Sequence, residues 1–250
     1  MSDDAFDAWI AGLENRHFAE LTFPEVSRAL RALSYTYVER RTKLADGAAL
    51  AGAGKRAAFA LFYAPLHYLL IEHIVGHLEA AARTAPTLLD LGCGTGASGA
   101  AWARALPAAP RVVAIDRHPW AVGEATATYR AFGVAATVRR GDIATARLPD
   151  GPAAVLAAFT MNELTDAARD DLMRRLIERA ERGGRLLVVE PLAAAAAPWW
   201  RRWQQAFESA GGRADLWRVH TELPRIVQKL DRAAGLNHRE ITGRSLWLAG

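Results

Sequence analysis

The sequence predicts an α/β fold, with a mostly parallel sheet of seven strands covered by helices on both faces and a helical segment in front of it. From Thr87 onward, short apolar runs alternate with helical segments, the pattern of a parallel sheet. Before residue 85 the apolar residues instead recur every three to four positions. The first apolar run of the alternating region also ends in a cluster of glycines.

Residues 1–84 are predicted to form a helical cap or lid. One amphipathic helix is indicated by apolar residues at helical spacing: Val26, Leu30, Leu33 and Tyr37. The following run, residues 55–83, is strongly apolar and should be kinked near Pro65. Charges and turn formers interrupt it, so we interpret it as a buried helix pair and predict no membrane span.

Residues 85–250 are predicted to form the sheet domain. Five strands are indicated by the runs TLLDLG, RVVAID, ATVRR, AAVLAAFT and RLLVVEP. Residues 198–222 read as a helical insert, and a further helix follows it. The end of the chain, residues 237–249, reads as two short strands joined at Thr242 and Gly243, which would be a terminal antiparallel hairpin.

Composition narrows the function classes. The single cysteine, Cys93, excludes a disulfide framework or a cysteine-rich metal site. The net charge is +4, but the 31 basic residues are scattered among 27 acidic ones, which is typical of a solvated surface and leaves an RNA-binding face as an alternative. The N-terminus is acidic and amphipathic rather than a secretory signal, so a cytoplasmic location is expected.

The stretch TLLDLGCGTGASG (87–99) contains the pattern G-x-G-x-x-G at Gly94, Gly96 and Gly99. Glycines after the first strand let the backbone approach a ligand at the carboxyl edge of the sheet. Asp116, which closes the second strand, suits a ribose diol. A dinucleotide and S-adenosylmethionine both meet these requirements.

Asp90 favours S-adenosylmethionine. This acid lies two residues before the first glycine of the loop. A dinucleotide places its pyrophosphate at the start of the following helix, where a nearby carboxylate would repel it. S-adenosylmethionine carries no phosphate, and its sulfonium and amino groups are positive.

At this point the sequence resembles class I S-adenosylmethionine-dependent methyltransferases, through LLDLGCGTG (88–96), Asp116, the GDI motif (141–143) and the AGL-strand-hairpin ending from Ala234. The resemblance implies S-adenosylmethionine as cofactor and S-adenosylhomocysteine as product. It implies that the glycine loop holds the methionine portion, that Asp116 holds the ribose, and that Asp142 contacts the adenine amino group while Ile143 packs on the ring. The cofactor-binding residues predicted on this basis are Asp90, Gly92, Cys93, Gly94, Asp116, Arg117, Asp142, Ile143 and Thr160.

The acceptor site is predicted at the end of the fourth strand, which reads TMNELTD. Asn162 could orient an amine lone pair and Glu163 could accept a proton, although both residues also suit the start of the next helix. His67 is a third catalytic candidate, with a core histidine as the alternative. Tyr63, His67, Asn162 and Trp199 are the predicted substrate-binding residues, since aromatic residues of the cap and the insert could roof an apolar pocket.

No metal site is predicted. His73 and His77 are four residues apart on a helix, but no third ligand is evident. The segment AGAGK (51–55) fails the P-loop pattern, because Ala49 and Arg56 stand where glycine and serine or threonine are required. Cys93 is interpreted as a small filler of the loop.

A narrower resemblance links the chain to Rsm22-like methyltransferases associated with the small ribosomal subunit. It rests on KRAAFALFYAPLHY, on N-E-L after strand four and on E-P-L after strand five; the cysteine-rich C-terminal region of that family is absent. A small or medium-sized organic acceptor is therefore favoured. The alternatives are an rRNA or ribosomal acceptor and a non-catalytic assembly factor that keeps the fold.

Overall fold

The computed structural model describes residues 4–39, 50–78, 80, 84–193 and 197–250, and its centre is one seven-stranded sheet. The strands are β1 (Thr87–Leu91), β2 (Arg111–Asp116), β3 (Ala136–Arg140), β4 (Ala154–Ala158), β5 (Arg185–Glu190), β6 (Arg213–Val219) and β7 (Ile241–Ala249). Their order is β3-β2-β1-β4-β5-β7-β6; the first five strands are parallel, and β7 runs antiparallel to both of its neighbours, β5 and β6. The predicted α/β sheet is confirmed.

Helices cover both faces of this sheet. They are α1 (Asp4–His17), α2 (Phe23–Glu39), α3 (Ala53–Ala58), α4 (Ala64–His77), α5 (Ala97–Ala105), α6 (Pro119–Ala131), α7 (Asp166–Glu181), α8 (Trp200–Ser209) and α9 (Arg225–Ala234). Alternate strand residues face opposite cores, so Leu88 packs with the N-terminal helices, α5 and α9, while Leu89 packs with α7 and α8.

The N-terminal helices share a continuous hydrophobic core with the sheet. Helices α3 and α4 are joined by a π-helical turn, Phe59–Tyr63, which stands just before the predicted kink at Pro65. The run Ala53–His77 is long and apolar enough to span a membrane, but 67% of its most apolar window is buried inside the fold. It is therefore a core helix here, and the domain border near residue 84 stays a prediction.

The structure corrects the predicted end of the chain. The predicted helical insert, residues 198–222, contains the helix α8 but continues as strand β6. Thr242 and Gly243, predicted to form the turn of a hairpin, lie inside the single strand β7. A Cβ at position 243 would stand 2.8 Å from Leu70 Cδ2 of α4. Gly243 therefore allows α4 to pack closely against β7. Strands β6 and β7 are connected through α9 and not by a tight turn.

The strand order places a ligand site after β1. Strand β1 pairs with β2 on one side and with β4 on the other, so the order reverses at this strand. The loop from Gly92 to Gly96 follows β1 at this point and leads directly into α5. Ligands of open parallel sheets bind at such a reversal.

Candidate functional site

The glycine loop is fastened to the neighbouring strand β2. The backbone N–H groups of Gly92 and Cys93 both donate to the Ile115 carbonyl, at 2.8 and 3.0 Å. Gly92 and Gly94 have positive φ values of 66° and 53°, which glycine adopts without steric cost. A Cβ on Gly92 would also stand 2.0 Å from Thr160 Oγ1. Thr160 of the β4 loop therefore needs a glycine at this position.

Asp116 is held in a fixed orientation at the end of β2. Its Oδ2 atom accepts the Gly94 N–H at 2.9 Å, and its Oδ1 atom accepts the His118 N–H at 2.8 Å. The carboxylate thus connects the β2 loop to the glycine loop. Further lone pairs on both oxygens remain for a hydroxyl donor.

Asp90 is buried beneath the glycine loop, with 1% of its surface exposed. The Tyr129 hydroxyl donates to its Oδ2 atom at 2.6 Å. Burial raises the pKa of Asp90 to about 7, with Asp116 adding to the rise and the Tyr129 hydrogen bond opposing it. Among the described residues none donates to Oδ1. The carboxyl is therefore half satisfied and lies in a cavity wall.

Gly99 makes room for this Asp90–Tyr129 pair. A Cβ at position 99 would stand 2.4 Å from Asp90 Oδ2 and 2.1 Å from the Tyr129 hydroxyl oxygen. We expect Gly99→Ala to destabilise the fold by about 1–3 kcal/mol through overpacking. In Gly123→Ala, on α6, the new Cβ meets nothing within 4 Å, so that variant should gain about 0.4–1 kcal/mol. Urea unfolding of both variants tests this, and equal effects would contradict the assigned role of Gly99.

A cavity of about 590 Å³ opens between the α3–α4 run and the carboxyl edge of the sheet. Its cap side includes Phe59, Tyr63, Leu66, His67 and Leu70. Its sheet side is built by the loops after β1, β2, β4 and β5 and by the start of β7. Enclosed, mainly apolar walls with a few polar groups are typical of small-molecule sites.

Asn162 is clamped between two side chains. The Trp199 Nε1–H donates to its Oδ1 atom at 2.9 Å, and its Nδ2 atom donates to Glu190 Oε2 at 2.5 Å. Glu190 is fully buried and also accepts the Met161 N–H at 3.0 Å. Burial raises the pKa of Glu190 to about 8. Both ends of the Asn162 amide are thus engaged, which ties the β4 loop to β5 and to the segment before α8.

Glu163 faces the β2 side of the cavity. Its Oε2 atom accepts from Arg117 Nη2 at 3.0 Å. Burial raises the pKa of Glu163 to about 7, while Arg117 opposes the rise. The side chain keeps 36% of its surface exposed, so solvent screens this ion pair.

His67 lies in an aromatic part of the cavity. Its ring stacks on Phe159, with the ring centroids 4.0 Å apart and the planes 16° apart. Phe159 has a φ of +58°, which is unusual for a bulky residue and is typical of strained functional sites. Burial lowers the pKa of His67 to about 3, so the imidazole is neutral at physiological pH.

The cavity brings most of the predicted site residues together. Its wall contains every predicted catalytic and substrate-binding residue, and the cofactor candidates Asp90, Gly92, Cys93, Gly94, Asp116, Arg117 and Thr160. Asp142 and Ile143 lie outside that wall: the Asp142 carboxylate accepts the Ala144 N–H at 2.9 Å, and Ile143 is buried in the core. The roles themselves stay predictions.

Sequence reasoning missed Phe159 and His238, which also line the cavity. No local motif marks either residue, and only the fold brings them to this edge. Of the tryptophans expected to roof the pocket, Trp200 and Trp203 pack in the core on the α8 side, and only Trp199 lines the cavity. The described residues contain no group of three or more potential ligands that could hold a metal ion.

Comparison with known proteins identifies the fold and the chemistry. Residues 88–184 match the family model described as a methyltransferase domain, and this segment contains the glycine loop, Asp116 and the β4 loop. This segment carries a methyltransferase domain of the class I S-adenosylmethionine-dependent type. Its cofactor is S-adenosylmethionine and its product S-adenosylhomocysteine, as predicted. No curated protein matches the sequence.

Several solved structures share the fold of this methyltransferase. The mitomycin 7-O-methyltransferase MmcR is 16% identical with a TM-score of 0.55, and the match covers 95% of this chain and 68% of that one. The plantazolicin methyltransferase BpumL in complex with SAH is 11% identical with a TM-score of 0.52, over 95% and 99% of the two chains. A putative O-methyltransferase from Nostoc punctiforme is 14% identical with a TM-score of 0.57, over 88% and 72%. At these identities the similarity shows the fold.

The residues of the methyltransferase cavity fit S-adenosylmethionine. The half-satisfied carboxyl of Asp90 suits a cationic ligand, and the oriented carboxylate of Asp116 suits a ribose diol. Within the described part of the chain, a Cβ added at Gly94 would come within 4 Å of Phe59 Cε1 alone, at 3.8 Å, so the loop backbone is open on the cavity side. Cys93 adds no nucleophile, because burial holds the pKa of its thiol well above the usual range.

Proposed function

We propose that this methyltransferase acts on a small or medium-sized organic acceptor enclosed between the α3–α4 run and the carboxyl edge of the sheet. The observation that carries the proposal is the cavity of about 590 Å³, within the range of small-molecule sites. Its cap side is aromatic and aliphatic, which excludes water from the reacting groups. The fold similarity to a mitomycin 7-O-methyltransferase and to a putative O-methyltransferase is consistent with this acceptor class.

The strand order divides the cavity into two halves. Asp90, the glycine loop and Asp116 belong to β1 and β2, and we assign them to the cofactor. The walls from β4, β5 and β7, with His67 and Tyr63 of the cap, are left for the acceptor. When bound, S-adenosylmethionine supplies an activated methyl group whose leaving atom is the sulfonium sulfur. The chain contributes alignment, desolvation and proton handling.

The three predicted catalytic residues take different parts in this proposal. Asn162, clamped at both ends, fixes the shape of the acceptor wall. Glu163 follows β4 but pairs with Arg117 on the β2 side, so we assign this one residue of the β4 loop to the cofactor half. Among the described residues none lowers the cost of charging His67; its low pKa keeps the ring neutral, with one nitrogen as hydrogen-bond acceptor.

An rRNA or ribosomal acceptor is the alternative. The contacts of the surface arginines do not favour it. Several arginines that stand next to another arginine in the sequence form ion pairs or donate to backbone carbonyls within the fold: Arg140, Arg174, Arg175 and Arg202. The ion pairs of Arg174 and Arg202 offset part of the positive charge that a phosphate backbone would meet. The link to Rsm22-like proteins thus has no support beyond the motifs quoted above.

Release of S-adenosylhomocysteine tests the acceptor class. The purified chain is incubated with S-adenosylmethionine and either a panel of small nucleophiles (4-nitrophenol, catechol, aniline, benzylamine) or small-subunit rRNA. We expect release with a panel member and none above background with rRNA. Salt-sensitive binding and methylation of rRNA would favour the alternative, and cofactor binding without any release would favour the non-catalytic assembly factor.

A further inference from the structure

His238 lies beside the acceptor half of the cavity and is outside every motif described above. It sits in the loop between α9 and β7, and β7 begins at the same edge as the ends of the parallel strands, because Arg244 pairs with Glu190 at the end of β5. His238 and Ile241 are in the wall of the main cavity and also in that of a smaller neighbouring cavity of about 330 Å³.

The ring of His238 is held by a buried carboxylate. Its Nδ1 atom is 2.5 Å from Asp231 Oδ1, and the backbone N–H of His238 donates to Asp231 Oδ2 at 2.9 Å. Asp231 is 6% exposed and lies in the last turn of α9. Because the carboxylate only accepts, Nδ1 must carry a proton, and in the neutral ring the acceptor nitrogen is then Nε2.

The surrounding backbone supports this orientation. Gly235 ends α9 with a φ of 72°, and Asn237 has a φ of 54°, so the chain turns back over Asp231 before β7 begins. Phe62 of the π-helical turn packs against the His238 ring, with the centroids 5.5 Å apart at 61°. No described residue forms a hydrogen bond to Nε2, and 37% of the side chain is exposed.

We propose that His238 is the proton acceptor of methyl transfer, and that Asp231 is its positioning residue. The inference rests on the proposed function, since it needs an acceptor in this cavity. An acceptor O–H or N–H must lose one proton when it is methylated. Nε2 takes that proton, the resulting imidazolium is stabilised by the Asp231 carboxylate, and the exposed part of the ring passes the proton to solvent. Unlike His67 and Glu163, His238 has both an unengaged nitrogen and a carboxylate partner.

The first test reads the ring itself, without any acceptor. We would record nitrogen-15 NMR spectra of the histidine rings of the full chain with S-adenosylhomocysteine. His238→Gln assigns the signal. We expect Nδ1 to be protonated and Nε2 unprotonated in the wild type, and Asp231→Asn to lose this preference. A wild-type ring protonated at Nε2 and bare at Nδ1 would overturn the proposal.

The second test measures turnover with the panel nucleophile that releases most S-adenosylhomocysteine. His238→Gln should lower kcat by roughly 10²-fold or more, the usual contribution of a general base, with an unchanged dissociation constant for S-adenosylmethionine. His220→Gln is the matched control, because His220 is 74% exposed and outside the cavity wall. A kcat of His238→Gln equal to that of the wild type would overturn the proposal. No release from any nucleophile by the wild type would instead count against the small acceptor.

Discussion

Replacing Asp116 with alanine should weaken the binding of S-adenosylmethionine about 10- to 150-fold. This corresponds to about 1.5–3 kcal/mol, the value of hydrogen bonds to a charged group. The carboxylate is already oriented by Gly94 and His118, so little ordering cost reduces the gain when it accepts a hydroxyl. Titration calorimetry of the wild type and the variant measures the difference directly.

Two further variants separate charge from loop geometry. Asp116→Asn keeps one oxygen for the Gly94 or His118 N–H and removes the charge, so its affinity should fall between those of the wild type and Asp116→Ala. Asp150→Ala removes an exposed aspartate outside the cavity wall and should bind like the wild type. NADH should bind to none of these proteins. Equal affinities of Asp116→Ala and the wild type for S-adenosylmethionine would contradict the assignment of Asp116 to the ribose.

The cofactor half of the site was predictable because its physics is local. Positive φ values at Gly92 and Gly94 require glycine, and an acid at the end of β2 is visible in the sequence itself. The alternation of apolar runs and helical segments also predicted five of the seven strands, β1 to β5. In these places the residue type and its immediate neighbours decide the structure.

The acceptor half was only partly predictable, since distant contacts decide it. In the sequence Gly243 resembles a turn glycine, but in the structure it leaves space for Leu70 of α4 to pack against β7. Phe159 adopts a positive φ that no aromatic residue favours alone, and it stacks on a histidine 92 positions earlier in the chain. His238 is oriented by Asp231 and is brought to the cavity by the antiparallel strand β7, which the sequence analysis had predicted as part of a hairpin.

The cavity carboxyls also make the fold sensitive to pH. Glu190 has a pKa of about 8 in the folded chain, against an ordinary value of 4.5, because it is fully buried. Between these pH values the folded chain holds a proton that the unfolded chain has lost. Stability therefore falls as the pH rises from about 4.5 to about 8. For Glu190 this loss is about 5 kcal/mol, and Asp90, with a pKa of about 7, acts in the same direction.

Glu190→Gln should flatten this dependence by several kcal/mol, because glutamine cannot ionise. The variant gives up one acceptor for Asn162, which costs about 1 kcal/mol at all pH values. It should therefore be less stable than the wild type near pH 5 and more stable near pH 9. Urea unfolding at both pH values without added S-adenosylmethionine measures the crossing, and Glu208→Gln, on the exposed face of α8, is the control. Parallel curves for Glu190→Gln and the wild type would mean that Glu190 is ionised in the folded chain, with its charge compensated by Arg244 and the β4 loop.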